Sequence, residues 1–515
     1  MTSLDELKDL VQQVEALSQA AEADSETAHL FHAAQAQAWA MLASSYWRQG
    51  DMGAARAGFD RAIALLPLAS WQICRAALLP AVPDSRQEIA EARTALRQRL
   101  EALQVQPPGR VAAPSDIGWS LFLLAYHAEE DNRALHRLFH DVCLDACPEL
   151  GWTAPHCHEP RRPGRRRVGF ISWHLTDHTI ARLFLRLVEE LDADSFDVTL
   201  FSFEGRDEAV GPMPGKRHIR LLPDHAEARQ RIAETELDLL IYLDLGMDFL
   251  TLFLAYSRLA RHQGVLWGHP DCLGLDSIDY VFSPDCMEPD GAEDHYHERL
   301  IRLPGTMALY ERPVLPAEPK GRAEMGLPEQ GVLFLCPQTA FKFHPDFDPA
   351  LVRILDGVES SRLVLLAGWE AGAMDRVKAR ITRGRPDLED RILILGQLSR
   401  ADFLTLFMLC DVVLDPFHYS CGNTSLEAFS VGSPIVTWPG KFMRARHTAG
   451  FYHLMGLDDL VARDQEDYIV MAIRLGQDPS AREAVRGRIL GACGLLYDDR
   501  RGLWAIEAFI SLMDR

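Results

Sequence analysis

The stretch CDVVLDPFHYSCGNTSLEAFSVGSPIVTW, Cys410 to Trp438, reads as strand, loop, helix and strand. Val412, Val413 and Leu414 form an uninterrupted apolar run, the pattern of a strand covered on both faces of a parallel sheet. The loop HYSCGN follows, and a helix is expected to begin near Thr424, with an apolar stripe at Leu426 and Phe429 and a stop at Gly432 and Pro434. PIVTW is the next strand. Such a unit belongs to a parallel α/β sheet, which places ligands at the carboxyl ends of its strands.

The start of that helix carries the first chemical signal. A helix N-terminus presents unpaired N–H groups and a partial positive charge. Gly422 lets the backbone approach a ligand, and Asn423, Thr424 and Ser425 add polar side chains. Two readings stand side by side: ordinary N-capping by Asn, Thr or Ser, and an anion site suited to phosphate. Glu427, one turn in, is placed to accept from a sugar hydroxyl, and is equally a first-turn acid favoured by the helix dipole.

Outward from this unit the chain divides by texture. Strand candidates GVLFLCP, RLVLLAG, RILILGQ, CDVVLDPF and PIVTW predict the second of two α/β domains over 323–490, followed by a C-terminal helix within 491–515 that packs back across the first. RVGFISW, FDVTLFSF, LDLLIYLDL, QGVLWGH and DYVFSPD predict the first over 167–312. A cleft between the two is the expected active site. Residues 1–150 read as a helical domain. Within it, residues 36–69 carry Trp39, Leu42, Tyr46, Gly50, Ala55, Phe59, Ala62 and Pro67 at tetratricopeptide spacing. One repeat cannot bury its own faces, so 5–33 and 70–103 are expected to be degenerate repeats or caps. Residues 151–166 form a Pro/Arg-rich linker.

Bulk properties narrow the function. The 515 residues carry a formal charge of −21, which argues against nonspecific nucleic-acid binding. The basic run RRPGRRR, 161–167, reads as a solvated linker or as a nucleic-acid or lipid contact. The N-terminus lacks an apolar signal segment and no 18-residue apolar run predicts a membrane helix. Ten scattered cysteines without a CxxC pair point to reduced thiols in a cytoplasmic protein. His156-Cys157-His158 lacks a second ligand pair at metal-finger spacing, and no paired acidic loop suggests a magnesium site.

Three further stretches sit at strand ends. In CPQTAFKFHPDF, Lys342 lies in a strand-to-helix loop expected to open onto the same cleft as Thr424, where a lysine and a helix start together can neutralise a diphosphate without a metal. In GFISWHLTDHTIARLF, Asp177 and His178 precede a helix, and His178 reads as a base, a substrate ligand or a hydrogen-bonded structural histidine. In LWGHPDCLGLDSIDYV, His269 and Pro270 end a strand facing the cleft.

Together DHTIARL, WGHP, FKFHPDFDP, GNTSLEAFSVGSPIVTWPG and KFMRARHT resemble the SPINDLY-like and O-linked N-acetylglucosamine transferases, above all their bacterial members, over nearly the whole chain. The resemblance implies a GT-B fold, two Rossmann-like domains facing a cleft behind a tetratricopeptide region. It implies an inverting, metal-independent transfer, without a cofactor, from a nucleotide sugar to a protein hydroxyl. By that resemblance Lys342 contacts the diphosphate, Gln338 faces the leaving group, and Asn423, Thr424 and Ser425 form the phosphate-binding helix start. Glu427 holds the ribose, Leu398 and Arg400 lie in the base-binding loop, and His178 is a cleft histidine proposed as a base or acceptor-site residue. Where relatives often carry a hydroxyl pair after the WGHP-like motif, this chain has Cys272 and Leu273, which leaves the sugar open. A UDP-sugar donor with a Ser/Thr acceptor is the first expectation. The alternatives are a CMP-linked nonulosonic acid transferred to flagellin, and a nonenzymatic scaffold.

Overall fold

The computed structural model describes residues 3–20, 25–128, 130–368 and 372–513. Two wholly parallel sheets organise them. The first contains β1 Arg166–Ile171, β2 Phe196–Phe203, β3 Arg217–Leu221, β4 Leu239–Tyr242, β5 His262–Val265, β6 Tyr280–Pro284 and β7 Arg299–Leu303, in the order β3-β2-β1-β4-β5-β6-β7. The second contains β8 Leu333–Cys336, β9 Arg362–Leu366, β10 Ile392–Leu395, β11 Val412–Leu414 and β12 Ile435–Val436, in the order β10-β9-β8-β11-β12. Strand order reverses beside β1 and beside β8, where Val168 pairs with both Val198 and Leu239, and Leu335 with both Val364 and Val413. Ligands of open α/β sheets bind at such reversals.

Each of the ten expected segments contains a strand. The sequence reading missed β3, RHIRL, and β7, RLIRL, which are the two edges of the first sheet. Their half-exposed faces carry arginine and histidine, and basic side chains on an edge discourage further pairing. The same residues break the apolar run by which a buried strand is recognised.

The helical region is built onto this frame. Helices Ser25–Arg48 and Met52–Leu65 form the expected hairpin, turning at Gly50 with φ +80°. A Cβ added to Gly58 would lie 2.9 Å from that of Ala43, so the small residue sets the helix spacing. Helix Leu4–Ala20 covers one side of the hairpin through Leu7 and Val11 against Ala38 and Leu42. Residues 21–24, inside the proposed 5–33 unit, lie outside the described residues. From Ala69 onward the helices share one apolar core with the first sheet, where Leu96, Leu124 and Phe139 join Ile171, Phe201 and Tyr242. The core therefore does not divide at the expected boundary near residue 150.

The helical region also reaches the second domain. Arg376 donates to the Gln49 carbonyl at 2.6 Å, Arg380 to that of Pro83 at 2.5 Å, and Arg86 pairs with Asp346 at 2.7 Å. Helix Arg501–Leu512 crosses back to the first sheet, with Phe509 edge-on to Tyr280 and Phe282. The basic linker is answered within the chain: Arg161 faces Asp238 at 3.4 Å, and Arg162 and Arg167 both pair with Glu236. His156 bonds the Leu237 carbonyl, a structural role. Among the described residues no helix is long and apolar enough to cross a membrane.

Candidate active site

The helix anticipated at Thr424 spans Asn423–Ser430, and its N-cap is Gly422 at φ +62°, ψ −119°, with no side-chain cap. Some other helices are capped by side chains, among them those at Ser85, Asp224, Ser399 and Asp464, and others, such as Arg133–Ala146 and His447–Leu454, are not. Capping is therefore not what Asn423, Thr424 and Ser425 do. The loop before the helix is held from beneath by Asp415, at the end of β11. Its carboxylate accepts from the Cys421 N–H at 2.6 Å and from the Ser420 and Thr437 hydroxyls at 2.7 Å. Burial pushes this carboxyl up, and the hydrogen bonds oppose the shift. Ser425 corrects the sequence reading. Fully buried, its hydroxyl bonds Thr448 Oγ1 at 2.7 Å and its N–H returns to the Gly422 carbonyl, so it builds the loop rather than facing a ligand. Thr424 remains half-buried on the cleft wall.

Lys342 lies in the loop after β8. Its side chain is half-buried, and the ammonium donates to Gln338 Oε1 at 2.8 Å and sits 4.8 Å from the Tyr419 ring centroid. Burial lowers its pKa. Around it several buried polar atoms have no partner: Gln338 Nε2, Thr339 Oγ1, Asn423 Oδ1 and both ring nitrogens of His447. Buried polar atoms are normally paired, and here donors and acceptors remain open beside a helix start without a side-chain cap and a half-buried cation. His447 went unassigned in the sequence reading, although the motif KFMRARHT contains it. Burial is a property of the fold, so nothing local in that motif marks its imidazole.

Beside this point a cavity of about 390 Å³ opens between the domains. Asp177, Thr179 and Arg182 line it from the first domain, and Gly368, Leu398, Arg400, Asn423, Thr424 and Glu427 from the second. Glu427 is 3% exposed and accepts from Arg400 Nη1 at 2.8 Å, with Arg182 at 4.0 Å. Burial raises its pKa and the two guanidiniums pull it back. Asp177, paired with Arg182 at 2.6 Å, stands at this cavity, whereas His269 lines a separate small pocket.

On the first-domain side, His178 caps its own helix, accepting the Ile180 N–H at Nδ1, 3.2 Å. A neutral imidazole that accepts at Nδ1 carries its proton at Nε2, so the ring is poised to donate rather than to take a proton. Burial pushes its pKa down to about 4. His174 stacks on it at 4.5 Å and faces buried Asp244 at 3.8 Å. His269 is buried and stacks on Phe122 at 5.0 Å, its pKa pushed down to about 4 by burial. Phe122, Tyr126, Phe341 and Tyr419 continue this aromatic row towards Lys342, so the helical region contributes to the site. Pro270 lines the small pocket beyond His269. The Cys272 thiol donates to Glu298 at 2.9 Å, and Leu273, packed in the core, lines the same small pocket as His269. Asp271, just before them, is the residue that reaches the second domain, through Arg444 at 3.1 Å.

Among the described residues two groups bring three metal-capable ligand atoms within 4.8 Å, His344 with Asp346 and His418, and His174 with Asp244 and Asp248. In the first, His418 already bonds Asp346 at 2.8 Å and His344 caps the Asp346 N–H. In the second, Asp248 caps a helix through the Thr251 N–H. A second cavity, about 460 Å³, lies between the hairpin and the first domain, lined by Trp47, Trp71, Trp119, Phe122 and Met247.

Comparison with known proteins agrees with this geometry. Residues 318–494 match Glycosyl transferase family 41. The probable UDP-N-acetylglucosamine–peptide N-acetylglucosaminyltransferase SPINDLY of Solanum lycopersicum is 27% identical over 277 residues, covering 51% of this chain and 28% of that protein. The Arabidopsis thaliana SPINDLY protein is 23% identical over 374 residues, 67% of this chain and 40% of that one. The UDP-glucose:protein N-beta-glucosyltransferase of Actinobacillus pleuropneumoniae serotype 5b is 26% identical over 253 residues, 49% of this chain and 40% of that one. The chain thus spans less than half the length of these relatives. A solved mutant of the Thermobaculum terrenum O-GlcNAc transferase superposes with a TM-score of 0.69 at 23% identity, covering 99% of this chain and 98% of that one, so the fold is the GT-B fold of that enzyme behind a helical region. With its two facing sheets and a helix start beside a lysine, the chain carries a Glycosyl transferase family 41 domain over residues 318–494 and is similar to the SPINDLY and O-GlcNAc transferase proteins.

Proposed function

We propose that this protein transfers a sugar from a UDP-sugar to a protein acceptor, with inversion at the anomeric carbon and without a metal. The observation that carries the reading is the convergence of half-buried Lys342, the helix start at Gly422 without a side-chain cap and the unpartnered polar atoms around them. A diphosphate answers the lysine, the helix start and the open donors Gln338 Nε2 and Thr339 Oγ1, and a donor hydroxyl answers the open acceptor Asn423 Oδ1. The negative charge of the diphosphate compensates the lysine and the helix dipole, and its oxygens accept from open donors. Glu427 is set to accept from the ribose, with Leu398 and Arg400 beside the base. The acceptor hydroxyl attacks the anomeric carbon, the bond to the diphosphate oxygen breaks, the hydroxyl proton passes to the departing diphosphate, and UDP leaves with its remaining charge held by Lys342 and the helix start.

UDP is favoured over CMP because the named activities of the relatives use UDP-N-acetylglucosamine and UDP-glucose. A Ser/Thr hydroxyl is the first acceptor reading. The N-glucosyltransferase relative keeps an asparagine amide as the second. The acceptor polypeptide approaches along the aromatic cavity at Trp47, Trp119 and Phe122, which adjoins His269. His178, donating from Nε2, positions the acceptor or donor rather than serving as base. Ten unpaired cysteines suit a reducing cytoplasm.

Thermal-shift titration with UDP, UDP-N-acetylglucosamine, UDP-glucose and CMP tests the donor. Stabilisation by CMP alone removes the UDP reading and favours the nonulosonic-acid alternative. The intact mass of a co-expressed acceptor, flagellin among the candidates, then reports the sugar. Turnover that EDTA abolishes and a divalent cation restores removes the metal-independent mechanism.

A further inference from the structure

His447 is the least explained polar group in the second domain. Its side chain is 2% exposed and neither ring nitrogen has a partner. It opens the helix His447–Leu454, so two helix starts, at Gly422 and here, come together. They are tied by Thr448, whose N–H donates to Ser420 Oγ at 3.1 Å and whose hydroxyl meets those of Ser420 and Ser425. The imidazole is wedged between the Trp267 ring at 5.5 Å and the Tyr419 ring at 6.3 Å, and Tyr419 is the ring over which Lys342 sits. Its Nδ1 faces the glycine cradle, 4.0 Å from where a Cβ on Gly422 would stand. Any side chain at 422 would enter the space this nitrogen faces.

Burial and the nearby Lys342 ammonium push the His447 pKa down to about 3, so the ring is neutral. A neutral imidazole offers one N–H and one lone pair. It needs an acceptor and a donor together, and leaving both unmet in a closed interior is costly. A phosphate alone offers only acceptors. A diphosphate joined to a sugar offers phosphoryl oxygens and hydroxyl hydrogens a few ångströms apart.

We infer that His447 is a donor-binding residue that reads the junction of diphosphate and sugar, one ring nitrogen donating to a phosphoryl oxygen and the other accepting from a sugar hydroxyl. The inference rests on the donor site proposed above and adds a contact from the helix that follows it. Being neutral, His447 supplies direction rather than charge, complementary to Lys342.

Calorimetric titration with UDP and UDP-N-acetylglucosamine on wild type, Lys342→Ala, His447→Phe and His447→Asn tests it, with melting curves of each unliganded variant. His447→Phe keeps the ring and removes both nitrogens. Its unliganded melting temperature is expected to be unchanged or higher, because two unpartnered polar atoms leave the interior. Its affinity for the nucleotide sugar is expected to fall roughly ten- to a hundredfold, the worth of a hydrogen bond to a charged group. His447→Asn, which can restore a group at the Nδ1 position, should recover part of that loss. A purely structural histidine would do the reverse, lowering the melting temperature and leaving affinity alone. Phe-variant affinity within twofold of wild type, with binding lost in Lys342→Ala, overturns the His447 inference and spares the donor site. Wild type binding neither UDP nor its sugars overturns both. If His447→Phe does not fold, His447→Gln serves in its place on the same criteria.

Discussion

Arg444 and Asp271 form a buried ion pair across the two α/β domains, Nη1 to Oδ1 at 3.1 Å. Asp271 also accepts from Asn132 Nδ2 at 3.1 and 2.9 Å and faces His136 at 3.2 Å. Arg444 donates to the carbonyls of Ala128 and Glu130. One pair thus ties the helical region and both domains at the cleft. Despite burial, Arg444 and His136 hold the Asp271 carboxyl down to about 2.

Removing one partner leaves a buried charge with neutral company. Arg444→Met is therefore expected to cost about 3–5 kcal/mol of stability, read by calorimetry or denaturant titration. Asp271→Asn is expected to cost less, because Arg444 keeps its two carbonyls. The double variant should lose less than the sum, since residues in one network couple. Strict additivity would mean that the pair does not hold the domains together.

Lys342→Ala separates chemistry from folding. The ammonium is half-buried with an amide as its hydrogen-bond partner, so its removal should leave the melting temperature unchanged or raise it. Turnover should fall by at least about a hundredfold, the usual loss of one preorganised group from a developing charge. Because burial lowers its pKa, the charged form is lost earlier than for a free lysine. The alkaline limb of kcat/KM should accordingly set in below pH 10.5, the ordinary value for lysine. Full turnover in the alanine variant removes the lysine from the mechanism.

Thr424 and Ser425 are adjacent and chemically alike, yet opposite effects are expected. Ser425→Ala breaks the hydroxyl network with Thr448 and Ser420, costing on the order of 1–2 kcal/mol with little change in donor KM. Thr424→Ala, on the cleft wall, should raise donor KM and leave the melting temperature in place. Steady-state kinetics and melting curves on the two variants decide.

This pair also marks how far the sequence could be read. The parallel α/β architecture was legible because buried strands such as Val412–Leu414 are continuous apolar runs. Lys342, Gly422 and Glu427 were legible because strand ends and helix starts have local signatures. What was not legible depends on direction and long-range packing. Ser425 points inward and Thr424 outward although both fit a phosphate loop. Cys272 and Leu273 looked like a sugar pocket, while Asp271 just before them carries the interdomain pair. Phe122 and Tyr126 join the site only because the helical region folds over the first sheet, and no local pattern announces that.

Acid sensitivity follows from the buried imidazoles. Burial pushes His127, His178 and His269 down to about 4, and His344 and His447 to about 3. Each folded-state value lies below the ordinary 6.5, so the unfolded chain binds more protons. Their contribution is fully present above pH 6.5 and is lost as the pH falls from there towards 4, a tenfold change in proton affinity being worth about 1.4 kcal/mol. Asp244 and Asp248 act against this, because burial raises them to about 7 and about 6. Their contribution is present below the ordinary carboxyl value and is lost as the pH rises through 4 to 7. Asp271 and its low value matter only below about pH 4, where its ordinary titration begins. Burial also raises Glu288, Asp348, Asp415 and Glu427 and lowers His140, His156, His174 and His225; of all these groups nine imidazoles stand against six carboxyls, so the melting temperature is expected to fall between pH 6.5 and 4.5. Replacing His344, whose Nε2 is buried without a partner, by glutamine should flatten that slope, while Asp244→Asn should steepen it. Melting curves at pH 7.5, 6.0 and 4.5 check both, and a slope unmoved by His344→Gln would remove that imidazole as a source of the acid loss.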